Sequence, residues 1–133
     1  MAAVEIRNEL LFRAPTRVGL LADVAEALHV ADVNILAIGA YDKGDVGEFL
    51  LLTSNNSAAG EALGGLGGEV DMASVVVVEV PNIPGELALI ARKIADAGIN
   101  ISQIHATTTD SPTAMIVLRT DKEIPLVELL EQI

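Results

Sequence analysis

The sequence predicts an α/β protein made of two tandem copies of one small α/β sandwich. Three observations carry that reading: a gapless internal repeat, apolar spacing that changes from strand to helix within each copy, and a core composition almost free of aromatics. The chain has 133 residues, enough for one or two small domains. Hydrophobic residues make up 51% of it but Phe, Tyr and Trp only 2%, so Val, Ile, Leu and Ala must fill the interior.

Shifting the sequence by 66 places aligns Pro15 with Pro81, Gly19 with Gly85, Leu21 with Leu87, Ala22 with Ala88 and Ala25 with Ala91. It also aligns Ala31 with Ala97, Asn34 with Asn100, Ile35 with Ile101, Ile38 with Ile104 and Ala40 with Ala106. These are 10 identities between residues 15–40 and 81–106 without a gap, and Leu52 still falls on Leu118. The expected division is therefore residues 1–73 and residues 74–133.

Each copy opens on a short buried strand, Leu10–Phe12 in the first and Val75–Val78 in the second. A helix follows, with Leu21, Val24 and Leu28 recurring as Leu87, Ile90 and Ile94, the spacing of one helical face. Asn82 is the expected N-cap of the second-copy helix, with Pro84 in its first turn and Gly98 at its exit; Thr16 and Asp32 occupy the same places in copy one. Two strands joined by a hairpin come next: about 34–41 and 48–53 around Asp42–Asp45, then about 100–107 and 113–119 around Thr108–Ser111. A second helix closes each copy, about 57–66 and about 125–132. A further strand is expected at 69–72, and the shift places Val4-Glu5-Ile6 on Val70-Asp71-Met72. The N-terminal strand, residues 3–6, thus completes either module: it folds back on Leu10–Phe12, or it closes the second copy. The glycines at 64, 65, 67 and 68 are neither fed by a strand nor followed by Lys-Ser/Thr, so a flexible helix exit is expected there rather than a phosphate loop.

A strand-helix-strand-strand-helix-strand unit of this size is a ferredoxin-like sandwich with an antiparallel four-stranded sheet and helices on one face, a frame that many functions share. Within it, Val80-Pro81-Asn82-Ile83-Pro84-Gly85-Glu86-Leu87 followed by Ala97-Gly98-Ile99-Asn100-Ile101 resembles the ACT domain, a regulatory module of amino-acid-metabolism enzymes. Copy one keeps Gly19-x-Leu21 and Val33-Asn34-Ile35 but reads Thr16-Arg17-Val18-Gly19 where copy two has Asn82-Ile83-Pro84-Gly85. The resemblance spans the whole chain as two modules and implies that an amino acid is captured near an interface between modules. It implicates Asn82, Ile83, Pro84, Gly85 and Asn100, and more weakly Thr16, Gly19 and Asn34.

The residues support that chemistry on their own terms. A strand-to-helix turn leaves unpaired N–H groups at the positive end of the helix dipole. Gly85 removes a side chain where a ligand has to approach, and Asn82 and Asn100 each offer a donor and an acceptor. The plainer readings are that Asn82 only caps and Asn100 only satisfies backbone. Arg17 is in reach of a ligand carboxylate or is simply a solvated surface arginine.

Nineteen acidic against eight basic residues give a formal charge of −11, which opposes binding to nucleic acid or anionic membranes. Absent cysteine removes thiol chemistry and cysteine metal sites, and His29 and His105 do not sit at ligand spacing. No uncharged apolar run approaches the roughly 18 residues of a membrane span. Glu5, Arg7 and Glu9 fall where a signal peptide needs its apolar stretch, so a cytoplasmic protein is expected. No catalytic triad pattern and no cofactor motif is present. The expectation is a non-enzymatic sensor without a cofactor, binding an amino acid and acting through a partner enzyme or its own homodimer. The alternative is a regulatory subunit or assembly module that works through protein contacts alone.

Overall fold

No glycine or proline stands between Val4 and Phe12, or between Val70 and Val78, so nothing stops extended chain from running on. A computed structural model describes residues 3–133 and shows this consequence. The chain forms β1 (Ala3–Pro15), α1 (Leu20–Val30), β2 (Ile35–Lys43), β3 (Val46–Thr53), α2 (Asn56–Gly64), β4 (Glu69–Pro81), α3 (Glu86–Asp96), β5 (Gln103–Thr107), β6 (Thr113–Arg119) and α4 (Glu123–Glu131). The separate short strands expected at 4–6 and 10–12 are one 13-residue strand, and so are those at 69–72 and 75–78. A hairpin between Val4–Ile6 and Leu10–Phe12 is thereby ruled out.

Hydrogen bonding orders the strands β2-β3-β1-β4-β6-β5, a six-stranded sheet where sequence suggested four-stranded ones. The reason is the length of β1 and β4, each of which serves both compact units of the chain. One unit is Asn8–Ala73; the other joins residues 3–7 to Ser74–Ile133. The ladders β1–β3, β2–β3, β4–β6 and β5–β6 are antiparallel.

In the unit Asn8–Ala73, alternate residues Leu10, Phe12 and Ala14 of β1 and Phe49 and Leu51 of β3 face Leu20, Val24 and Leu28 of α1 and Ala59 and Leu63 of α2. Both helices therefore pack on one face of the strands, as period-two strands and period-3.6 helices demand. Val70 of β4 joins this core. In the other unit Val76, Val78, Val80, Ile116 and Leu118 face Ile90, Ile94, Leu126 and Leu130, and Val4 of β1 joins them. Leu11, Leu52, Val75, Val77 and Val117, of opposite parity, are also buried, so these strand segments are covered on both faces and read as continuous apolar runs.

Helix starts differ from expectation. The residues capping α1 and α3 are Gly19 and Gly85, at φ of 92° and 88°, with no side-chain cap. Asn82 and Thr16 do not cap; a left-handed turn makes the corner, and glycine adopts it without the Cβ penalty. Helix exits agree with expectation. Ile99 N–H bonds Ile94 O (3.2 Å) and Gly98 N–H bonds Ala95 O (2.9 Å), a Schellman exit with Gly98 left-handed. Val33 to Leu28 (2.9 Å) and Asp32 to His29 (3.0 Å) repeat it. Of the glycines after α2, Gly64 and Gly67 stand in open space and Gly68 is packed: a Cβ on Gly68 would lie 2.7 Å from the Phe12 ring. Among the described residues, no helix is long and apolar enough to cross a membrane.

Candidate functional site

Pro15 ends β1 and Gly19 turns the chain into α1, so residues 16–18 form a short corner held by its neighbours. Thr16 N–H donates to Asp45 O (2.8 Å) and its hydroxyl to Asp42 Oδ1 (3.2 Å), tying the corner to the β2–β3 hairpin. Beside this clasp lies a cleft of about 330 Å3 lined by Thr16, Arg17, Gly19, Leu20, Leu21, Ala40, Tyr41, Asp42, Gly47 and Phe49. Small-molecule sites typically span about 300–1,000 Å3.

The cleft has two poles. At one, Arg17 donates from Nη2 to Asp23, and its Nη1 lies 4.0 Å from where a Cβ on Gly19 would stand. The guanidinium thus sits over the start of α1, whose first N–H groups carry no side-chain cap. Both features favour an anion, and the Asp23 carboxylate of the first turn already meets one of the guanidinium nitrogens. At the other pole stands the Asp42 carboxylate, which suits a cation.

Next to the cleft, Tyr41, Glu48 and Arg13 occupy one row of paired positions across β2, β3 and β1. Arg13 Nε donates to Glu48 Oε1 (2.9 Å) and its Nη1 to Asp71 Oδ2 (3.3 Å). The Tyr41 hydroxyl bond, then the Arg13 bond, hold the Glu48 carboxyl below its usual value, and Glu48 and Asp71 in turn raise Arg13. Tyr41, which lines the cleft, is thereby fixed by a charged row.

In the second copy, Asn82 performs the clasp that Thr16 performs in the first. Its N–H donates to Pro112 O (2.9 Å) and its Nδ2 to Ser111 O (2.9 Å). Ile83, Pro84 and Gly85 are exposed at the corner. The cavity beside it, about 510 Å3, is lined by Ala3, Glu79, Val80, Pro81, Glu86, Thr113 and Ile133, with two carboxylates and no basic side chain. Asn34 and Asn100 stand at the far ends of α1 and α3, about 16 Å of helix from Gly19 and Gly85. Their backbones are pinned: Asn34 N–H donates to Ser54 Oγ (2.8 Å), and Asn100 O accepts from Thr120 Oγ1 (2.8 Å). Within one unit the structure brings Thr16 and Gly19 together and leaves the asparagines of the helix exits apart from them. Tyr41 and Asp42 were missed by sequence reasoning because their nearness to Thr16 depends on how the hairpin folds back. No group of three or more metal-ligating side chains occurs among the described residues.

Residues 74–133 match the ACT domain. Solved structures extend the likeness of fold beyond the ACT match. A protein from Bacteroides thetaiotaomicron superposes with a TM-score of 0.88 at 23% identity, covering 97% of this chain and 89% of that one. The regulatory subunit of aspartate kinase from Thermus thermophilus gives 0.72 at 18% identity, covering 98% and 95%. A putative C-terminal regulatory domain of aspartate kinase from Porphyromonas gingivalis gives 0.61 at 13%, covering 99% and 96%. At these identities the likeness is one of fold. None of the curated protein sequences matches this chain.

Proposed function

We propose that this chain is a non-enzymatic regulatory protein of two ACT-type units, and that the cleft at Thr16–Gly19 binds a free amino acid. The supporting observation is the pairing of opposite poles across one small cleft, Arg17 over the start of α1 and Asp42 on the hairpin. A zwitterion matches it: the carboxylate at Arg17 and the first N–H groups of α1, the ammonium at Asp42. Asn82, Ile83, Pro84 and Gly85 then serve the second ACT-type corner, whose neighbouring cavity lacks a cationic pole, while Asn100 serves the helix exit at the far end of α3. The ACT match of the second copy and the regulatory aspartate kinase proteins among the structural neighbours support a role in which ligand occupancy is passed to a partner enzyme or to the chain's own assembly.

Calorimetry with the common amino acids tests this reading. At least one should bind, and Arg17→Ala and Asp42→Ala should each weaken it by about 10- to 150-fold, the loss of a charge-assisted hydrogen bond. Unchanged affinity in both folded variants moves the site elsewhere.

A second reading, an assembly module without ligand, is favoured by a different feature. An apolar groove runs between α3 and edge strand β5, lined by Leu87, Ala91, Ile94, Ile101 and Ile104, with Leu87 and Ile104 about half exposed. On that reading no amino acid raises the melting temperature, while polar substitutions at Leu87 and Ile104 change the oligomeric state.

A further inference from the structure

We propose that the Thr16–Gly19 cleft selects amino acids with apolar side chains and rejects polar isosteres of the same shape. The inference rests on the amino-acid reading above and adds the ligand's side-chain class. It follows from where each polar group of the cleft is committed. Arg17 and Asp42 are the charged side chains lining it; Arg17 keeps N–H donors beyond the Nη2 that meets Asp23, Asp42 keeps lone pairs beyond the one that accepts from Thr16, and a zwitterion's carboxylate and ammonium use both. The two hydroxyls are also engaged: Thr16 Oγ1 donates to Asp42 at 3.2 Å, and Tyr41 bonds Glu48 across the β2–β3 ladder. Each therefore spends its single proton within the protein.

What remains is hydrocarbon. Leu20 and Phe49 are buried in the core beneath, and Leu21 and Ala40 stand exposed at the rim. Gly47 completes the floor without a side chain; a Cβ there would come within 2.9 Å of Leu20 Cδ2. A ligand side chain laid on this surface removes apolar area from water on both partners. A hydroxyl, amide or charge placed there gives up its hydration against hydrocarbon and meets no hydroxyl donor. Only acceptor lone pairs on the Thr16 and Tyr41 oxygens are left to it, so its hydrogen bonding is restored in part at most, which is the costly case.

The test uses isosteric pairs on the full chain: L-valine against L-threonine and L-leucine against L-asparagine, by calorimetry. Valine and leucine should bind about 10- to 100-fold tighter than their partners, the range an apolar pocket imposes on an added polar group. Leu21→Asn, at a site 59% exposed and so harmless to folding, should narrow the leucine-to-asparagine ratio. Gly47→Ala should weaken every ligand by filling the floor. Threonine, asparagine or lysine binding as tightly as valine or leucine overturns the inference; if Arg17→Ala abolishes that binding, the amino-acid reading itself survives. No binding by any amino acid overturns both.

Discussion

At the residue scale, the molecule relies on positions where one atom more or one proton more is felt. Gly68 is one. A Cβ there would meet the Phe12 ring at 2.7 Å and come closer still to the Arg13 carbonyl, which cannot swing away. Gly68→Ala should cost about 1–3 kcal/mol, the range for overpacking a core, and a thermal or denaturant melt checks it. Glu48 is another. Its carboxyl is 17% exposed and is held below its ordinary value of 4.5, first by the Tyr41 hydroxyl and then by Arg13. A depressed acid stabilises the fold fully above its unfolded value, and that contribution is lost as pH falls through the folded one. Melting temperature should therefore decline below about pH 4.5, and Glu48→Gln should flatten that part of the pH profile while lowering stability at neutral pH. Equal pH slopes in both proteins would show that the row does not titrate this way.

At the element scale, the two copies solve the same corners with different residues. Both first helices start on a left-handed glycine and end in a Schellman exit, but the exit residue is Gly98 in one and Asp32, at φ 57°, in the other. A non-glycine residue there carries left-handed strain, so Asp32→Gly should stabilise the protein by something on the order of 0.5–1 kcal/mol, read as a raised melting temperature. The hydrophobic contact that accompanies the exit is in place in both, Leu28 with Val33 and Ile94 with Ile99, all buried. The periodicity of α1 and α3 is visible in sequence because Val24 and Leu28, and Ile90 and Ile94, recur at helical spacing and are buried; Leu21 and Leu87, expected on the same face, are instead half exposed or more, and Leu20 takes the buried place in α1. The joining of short strands into β1 and β4 is not, because polar residues in the stretches Arg7-Asn8-Glu9 and Asp71–Ser74 interrupt the apolar runs and locally read as connections, although extended chain continues through them.

At the scale of the whole molecule, the chain's start belongs with its end. Residues 3–7 cluster with Ser74–Ile133, and Val4 packs, partly buried, against that unit's core. Removing residues 1–7 should therefore destabilise the later part of the chain. Amide exchange in β4 and β6 should accelerate more than in β2 and β3, and the melting temperature should fall. A truncated protein with unchanged exchange in β6 would show the strand to be dispensable, as most chain ends are.

Residue type and spacing alone show the 66-residue register, the four helices, the exits of α1 and α3 at Asp32 and Gly98, and the ACT motif of residues 80–101. All of these are local: they follow from residue type and spacing along a few turns of chain. Three further things depend on segments meeting in space. The fold places residues 3–7 in the unit of Ser74–Ile133, because strand pairing is set between segments distant in sequence. It turned Thr16 and Asn82 from expected caps into clasps on their own hairpins. And it placed Tyr41 and Asp42 against Thr16, Arg17 and Gly19, because a cleft is made where a hairpin folds back on a helix start, and no spacing along the chain encodes that distance.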